Sequence, residues 1–228
     1  MLRFISRRLK QAVKVLLRGE GPNPVMNVDY QPEIKESSPD DSLVRRATEL
    51  AVASGNKLNM GCGTDYRKGF INIDGSDSLS RVDQVIDLVR QRLDEVLGKG
   101  FADYVLANDI VEHMHHWEAV NMLDQFYQVL KPGGVVQIRV PDCEYIIAAK
   151  QWSIEEKLVL LFGGQDVPQG HDTNMDLSRQ SYPQFFCHEY GWTMKRLFVE
   201  LERVGFRRVA FQRAGSNFVA YAMKNEVG

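Results

Sequence analysis

The sequence has 228 residues, of which 44% are hydrophobic, with 28 Lys plus Arg against 30 Asp plus Glu, and these numbers describe one ordinary soluble domain. A chain of this length buries on the order of 70% of the surface that its unfolded form exposes, so neither disulfides nor a metal is needed to hold the fold. The cysteines Cys62, Cys143 and Cys187 are odd in number and far apart, which indicates reduced thiols in a cytosolic protein rather than a secreted disulfide scaffold. No apolar run approaches the roughly 20 residues that span a bilayer, so no membrane crossing is predicted.

Residues 1–19 differ in charge from the rest of the chain. They carry six Lys and Arg and no acid, which gives +6 against −8 for the remaining residues. Apolar residues recur there at three- and four-residue steps, which predicts a basic amphipathic helix. Such a helix suits an anionic membrane surface or a partner protein, or it packs on its own domain in solution; an organelle-targeting peptide is a weaker alternative. The apolar positions are Leu2, Ile5, Leu9, Val13 and Leu16.

Residues 20–40 have the composition of a linker, because Pro22, Pro24, Pro32 and Pro39 break any regular period. The globular domain is therefore predicted to cover residues 41–228.

Within this domain, helices and strands are predicted to alternate. Asp41 is expected to cap the first helix. A helix over 117–130 should stop at Lys131-Pro132-Gly133-Gly134, and a later helix should begin after Thr193 and end at Gly205. Alternation at these lengths predicts an α/β fold, a doubly wound and mainly parallel seven-stranded sheet. The predicted strands are 57–60, 70–73, 84–86, 103–107, 135–140, 207–213 and 218–224.

Two glycines follow the first strand, and two carboxylates end the next two strands. Gly61 and Gly63 would let backbone amides approach a ligand. A nicotinamide dinucleotide is disfavoured, because Tyr66 stands where the fingerprint has its third glycine. Asp74 is placed to accept hydrogen bonds from both hydroxyls of a ribose, and Asp87 from an adenine amine. The pattern predicts a nucleoside pocket without a phosphate clamp.

These residues, with their neighbours, resemble the class I S-adenosylmethionine-dependent methyltransferases, which have a Rossmann-like fold. The likeness is greatest to a small bacterial branch associated with lipopolysaccharide and other surface-glycan synthesis. At position 65 this sequence has Asp, whereas a third glycine is common at that position in the wider family. The difference bears on the path of the loop and not on the identity of the cofactor. The stretches that carry the resemblance are 58–63, 69–74, 85–88, 108–113 and 130–134.

The resemblance implies S-adenosylmethionine as cofactor and a role for each matching residue. The implied contacts are Gly61 and Gly63 with the methionine part, Asp74 with the ribose, Asp87 and Leu88 with the adenine, and Asp109 near the methionine end.

Methyl transfer to a hydroxyl is helped by a general base. His113 is the first candidate, because it follows the fourth strand and has Glu112 beside it to fix its tautomer, and His188 is the second. Each histidine, taken alone, is more often structural. The run 112–116 contains three histidines, and His113 and His116 could share a helical face. No Cys or carboxylate ligand follows at a zinc-like spacing, so no metal site is predicted.

Residues 143–190 are long for a connection, which is typical of a lid. Their aromatic side chains would either stack on sugar rings or form a small core of their own.

The predicted function is transfer of a methyl group from S-adenosylmethionine to a hydroxyl of a saccharide or glycan intermediate, in the cytoplasm or at the inner face of the membrane. Methylation of a small molecule or lipid is the alternative reaction. A non-catalytic nucleotide-binding module, docked on a membrane-associated glycan synthesis complex through residues 1–19, is the alternative from another class. Nucleic acid is disfavoured as a partner, because the basic stripe lies outside the predicted site.

Overall fold

A computed structural model describes residues 41–77, 79, 81–165 and 185–225. The predicted basic helix 1–19 and the linker 20–40 lie outside the described residues, as do residues 166–184 of the 143–190 insertion. No helix in the described ranges is both long enough and apolar enough to span a membrane.

Seven described strands form one sheet: β1 Lys57–Met60, β2 Ile71–Asp74, β3 Gln84–Val85, β4 Ala102–Asn108, β5 Leu130–Pro141, β6 Arg208–Ala214 and β7 Asn217–Met223. Their order across the sheet is β3-β2-β1-β4-β5-β7-β6. The first five strands run parallel, and β7 is antiparallel to both β5 and β6. The predicted mainly parallel seven-stranded α/β sheet is confirmed.

The described helices are α1 Asp41–Val52, α2 Leu93–Leu97, α3 His116–Val129, α4 Cys143–Ala148, α5 Ile154–Phe162 and α6 Met194–Val204, with a 3-10 turn at Val111–His113. Thr193 caps α6 by accepting a hydrogen bond from the Arg196 amide at 3.1 Å, and Gly205 ends that helix, both as predicted. Helix α1 begins at Asp41 itself, so this residue lies in the first turn rather than at the cap.

The sheet has a buried core on each face, which follows from the alternation of side chains along a strand. On β4, Tyr104 and Leu106 pack on the face that α1 covers. Val105 and Ala107 belong to the opposite core, to which α3 and α6 contribute. A strand buried on both faces is typical of a parallel sheet between helical layers.

The helix α3 ends at Val129, just before Lys131-Pro132-Gly133-Gly134, as predicted. The fifth strand, predicted to begin at 135, begins at Leu130 instead, and its backbone pairs with residue 224: the Gly133 amide donates to the Lys224 carbonyl, and the Lys224 amide donates to the Gly134 carbonyl. The connection over residues 143–190, for which no helix was predicted, contains α4 and α5 in its described part. Asp142 caps α4, and Ser153 with Glu156 forms a capping box on α5.

Candidate active site

A cleft of about 860 Å³ opens at the carboxyl ends of the parallel strands. This is the edge at which doubly wound sheets bind ligands. The cleft lining includes all six residues predicted to contact the cofactor and the first candidate base, whereas His188 is not among the described lining residues. These lining residues are Gly61, Gly63, Asp74, Asp87, Leu88, Asp109 and His113.

The two glycines after β1 are needed for different reasons. Both have a left-handed backbone, with φ of +58° at Gly61 and +50° at Gly63. A Cβ on Gly61 would lie 2.6 Å from Ile110 Cδ1, so this glycine lets the loop pack against the segment after β4. A Cβ on Gly63 would meet nothing within 4 Å. Of these two glycines, only Gly63 therefore has open space beside it. The sequence analysis had predicted that a ligand approaches the backbone at both glycines.

Asp74, at the end of β2, holds the glycine loop through its carboxylate. Its Oδ2 accepts a hydrogen bond from the Gly63 amide at 2.9 Å, and its Oδ1 accepts one from the Ser76 amide at 3.0 Å. A carboxylate offers about four acceptor positions. Among the described residues two positions remain without a donor, one on each oxygen, which is the number that the two hydroxyls of a ribose require.

Asp87 and its neighbours line the part of the cleft beyond β3. Asp87 Oδ1 accepts hydrogen bonds from the amides of Val89, at 3.0 Å, and Arg90, at 3.3 Å. The side chains of Ile86 and Leu88 on either side of Asp87 are buried, and both line the cleft. This corner combines apolar walls with one carboxylate, an environment that suits a flat heterocycle with an amino group.

A polar network that the sequence analysis missed braces the glycine loop against β2. Asn59 Nδ2 donates to the Asp65 carbonyl at 2.7 Å and to Asn72 Oδ1 at 3.0 Å. Asp83 Oδ2 accepts from the Asn72 amide and from Asn72 Nδ2, and these hydrogen bonds hold the pKa of Asp83 below its usual value. The available signal was an asparagine between apolar residues in each of two strands, Asn59 between Leu58 and Met60, and Asn72 between Ile71 and Ile73.

Asp109 follows β4 with a φ of +52°, the only left-handed residue other than glycine in the described chain. Its carboxylate pairs with Arg139 through two hydrogen bonds, of which Nε to Oδ1 is 3.0 Å. Its amide donates to the Arg139 carbonyl at 2.9 Å. Arg139 also lines the cleft and was not predicted as a site residue. The charge of Asp109 is therefore balanced from β5, at the edge of the cleft.

His113 has a defined tautomer. Its Nδ1 lies 2.9 Å from the Cys187 carbonyl, and a carbonyl only accepts, so Nδ1 carries the proton and Nε2 presents a lone pair. The carbonyl performs the role that was predicted for Glu112. Burial and the neighbouring His188 hold the pKa of His113 below its usual value, so the imidazole is neutral near pH 7.

Glu112 and His188 adjoin His113. Glu112 is only 2% exposed, and burial raises its pKa to about 8. Its backbone carbonyl accepts from the amides of Glu189 and Tyr190, which ties the segment after 185 to the 3-10 turn. The rings of His113 and His188 are 5.1 Å apart, edge to face. The fold thus brings together the two candidate bases.

The other two histidines of the run 112–116 do not join this group. His115 stacks on Trp117 at 4.7 Å and lies at the rim of the cleft. His116 Nε2 lies 3.1 Å from Glu200 Oε1 on α6. His113 and His116 therefore do not lie on one helical face, because His113 is in the 3-10 turn and His116 begins α3.

The seven-stranded sheet with one antiparallel strand, together with a cleft that presents Asp74 and the glycine loop, defines the class of Rossmann-like methyltransferases. The chain belongs to the methyltransferase domain family, whose model matches residues 15–180. It is an S-adenosylmethionine-dependent methyltransferase. A comparison with curated proteins finds no match.

Solved structures share the fold. A methyltransferase from Mesorhizobium loti, described as S-adenosylmethionine dependent, aligns with a TM-score of 0.53 at 13% identity, over 81% of this chain and 96% of that one. One from Archaeoglobus fulgidus, described in the same way, gives 0.51 at 13% identity, over 81% and 92%. A protein from Pyrococcus horikoshii gives 0.51 at 16% identity, over 81% and 89%. At these identities the likeness concerns the fold.

Proposed function

We propose that the cleft holds S-adenosylmethionine with its ribose on Asp74, its adenine between Ile86 and Leu88 beside Asp87, and its methionine part near Gly63 and Asp109. The observation that carries this proposal is the Asp74 carboxylate: it fixes the Gly63 amide at 2.9 Å and keeps one acceptor position on each oxygen. The open space at Gly63 supports it, since a side chain there would occupy the cleft.

The reaction that this arrangement suits is methyl transfer to a hydroxyl. The acceptor oxygen attacks the methyl carbon in line with the C–S bond; a C–O bond forms, the C–S bond breaks, and S-adenosylhomocysteine leaves. The hydroxyl proton passes to His113 Nε2, which is free because Nδ1 donates to the Cys187 carbonyl. The chain supplies position and water exclusion, and proximity accounts for much of the rate.

The acceptor is a hydroxyl of a saccharide or glycan intermediate in this proposal. Phe185 and Phe186 line the cleft, as do His113 and His115, and Trp117 stacks on His115. Aromatic faces of this kind can pack on sugar rings. The resemblance to the surface-glycan branch points to the same acceptor class.

Calorimetry with S-adenosylhomocysteine tests the cofactor part of the proposal, with NAD as the competing ligand. We expect a dissociation constant of roughly micromolar size for the former, near −8 kcal/mol, and no heat from NAD. Folded protein that binds neither would contradict the proposal and favour a docking module.

Transfer of labelled methyl groups to candidate sugars, lipids and small molecules then tests the acceptor. His113→Ala should slow transfer by roughly 10²- to 10⁴-fold while S-adenosylhomocysteine affinity is retained. Asp77→Ala, an exposed residue that does not line the cleft, is the control. Transfer to lipids alone would contradict the saccharide assignment without affecting the cofactor assignment.

A further inference from the structure

We infer that Glu112, His113 and His188 form a binding site for a divalent transition-metal ion at the edge of the cofactor cleft. One ligand atom from each residue can be chosen so that the three atoms lie within 4.8 Å of one another. Ligand atoms that each lie about 2.0–2.2 Å from the same ion are closer to one another than 4.8 Å. Small side-chain rotations would therefore be needed to bring the three atoms onto one ion. The inference rests on the proposed function only where it concerns catalysis, since metal binding can be measured alone.

Both imidazoles are oriented as metal ligands commonly are. His113 Nδ1 donates to the Cys187 carbonyl at 2.9 Å, and His188 Nδ1 donates to the Leu161 carbonyl at 3.2 Å. Each Nε2 therefore presents a lone pair. Histidines that bind metals characteristically donate their other ring N–H to a backbone carbonyl or carboxylate, which fixes the tautomer and the ring orientation.

The third ligand is a buried carboxyl group with an unused oxygen. Glu112 is 2% exposed, and its Oε2 has no hydrogen-bond partner among the described residues. A buried polar atom without a partner costs free energy, and an ionised one costs far more. An ion held by both imidazoles would remove that cost at Glu112 and would give the buried carboxyl group a function.

The ligand set indicates the class of metal. Two imidazoles and one carboxylate suit Zn²⁺, Co²⁺, Fe²⁺ or Mn²⁺, whereas Mg²⁺ and Ca²⁺ prefer oxygen ligands throughout. Three protein ligands leave at least one position open, as in catalytic rather than structural sites. The sequence analysis considered His113 together with His116 and predicted no metal site. In the structure the second imidazole beside His113 is that of His188, which is 75 positions further along the chain.

A metal ion here would deepen the proposed reaction. His113 lines the cofactor cleft, so an ion on its Nε2 would adjoin the reacting groups. An acceptor hydroxyl in the open position would lose its proton more readily, because a bound divalent cation lowers the pKa of an oxygen ligand. His113 would then act as a ligand rather than as the base, and the acceptor's proton would pass to water.

The test uses the full chain, stripped with a chelator and dialysed. Zn²⁺ titration should show one equivalent bound, and Co²⁺ should give the visible d–d absorption of an ion with nitrogen and oxygen ligands. Glu112→Gln and His188→Ala should each weaken Co²⁺ binding by roughly 10- to 100-fold or more, and His115→Ala should leave it unchanged. S-adenosylhomocysteine affinity, measured on each variant, reports whether the fold and the cofactor site are intact.

The outcomes separate the two proposals. Wild-type protein that binds S-adenosylhomocysteine but neither metal, or variants that keep wild-type Co²⁺ affinity, would overturn the metal site and leave His113 as the base. Metal binding without S-adenosylhomocysteine binding would overturn the proposed function alone. Should the variants not fold, X-ray absorption of the Zn²⁺-loaded wild type decides, since a spectrum without two imidazole ligands would refute the site.

Discussion

Asp74 binds backbone amides and is also the proposed ribose acceptor, so its replacement tests both contacts. Asp74→Ala should reduce S-adenosylhomocysteine affinity by roughly 10- to 150-fold, because a hydrogen bond to a charged group contributes about 1.5–3 kcal/mol. The circular dichroism spectrum should not change, since Asp74 is partly exposed at a strand end. Calorimetry measures the affinity. Asp77→Ala, an exposed carboxylate three residues along, is the control, and equal losses in both variants would remove Asp74 from the site.

Cys62 lies in the glycine loop and lines the cleft, yet its thiol should be unreactive. Burial, together with the carboxylates of Asp74 and Asp83, raises the pKa of Cys62 to about 11. Only the thiolate reacts with alkylating agents, and at pH 8 roughly one molecule in a thousand carries it. Labelling by iodoacetamide, followed by peptide mass spectrometry, should accelerate about tenfold for each pH unit between 8 and 10. Labelling at pH 8 as fast as a free cysteine would contradict this environment.

The loop after β1 allows its two glycines to be distinguished as parts of one element. Gly63→Ala should cost about 1–2 kcal/mol of stability, because the left-handed backbone is strained for alanine but space is available. Gly61→Ala should cost more, since its Cβ would also lie 2.6 Å from Ile110 Cδ1. Urea unfolding measures both. When Ile110 is already Ala, Gly61→Ala should cost less stability than it does in the wild type, because the side chain that the new Cβ would meet has been shortened. An equal cost with and without Ile110→Ala would assign the whole loss to backbone strain.

Helices α3 and α6 are joined by a buried carboxylate. Glu200 is fully buried, and its Oε1 lies 3.1 Å from both His116 Nε2 and Arg196 Nη2. Its Oε2 lies 3.1 Å from Arg203. Glu200→Ala should lower the free energy of unfolding by roughly 1–3 kcal/mol, because it leaves partly buried donors without their acceptor. Arg203→Ala, whose side chain is 65% exposed, should cost less than about 1 kcal/mol. Similar urea midpoints for the two variants would show that the carboxylate does not join the helices.

At the scale of elements, most of the sheet could be predicted because its strands are short apolar runs that end in Gly, Asp or Asn. The pattern failed at β5, where pairing of residues 133 and 134 with residue 224 extends the strand through a Pro-Gly-Gly sequence. Tertiary hydrogen bonds outweighed the local turn signal there. The helix α5 was missed although its signal is present, since Ser153 and Glu156 have the spacing of a capping box.

The candidate site also has a part that could be predicted from the sequence and a part that could not. Asp74, Asp87 and Asp109 all line one cleft, as expected, because the carboxyl ends of parallel strands meet at one edge of the sheet. The partners of these residues were not predictable. Arg139 meets Asp109 only because β4 and β5 pair in a register that places Asn108 opposite Arg139. The Cys187 carbonyl reaches His113 from 74 positions away, and no local pattern encodes such a contact.

For the whole molecule, charge is separated between residues 1–19 and the rest of the chain. Residues 1–19 carry +6 and the remaining chain −8, so the acidic part should be repelled by an anionic surface that attracts the segment. This segment lies outside the described residues, and its role is a prediction from sequence. An enzyme acting on a lipid-linked glycan would be brought to its acceptor by such an anchor.

Vesicle sedimentation tests this anchor. The full chain should sediment with vesicles that contain anionic lipid, because each cation near such a surface contributes about 1 kcal/mol, and added salt should release it. Neutral vesicles should bind it poorly. A chain of residues 20–228 should lose the binding to vesicles and keep its affinity for S-adenosylhomocysteine, which would show that the cofactor domain remains folded.

A full chain with Arg3, Arg7 and Lys10 changed to Gln is the matched control, since it keeps the apolar stripe and should bind the vesicles weakly. Unchanged sedimentation of that variant, or of the truncated chain, would mean that the charges of residues 1–19 do not bring the enzyme to a membrane, and a protein partner would then be the object of search.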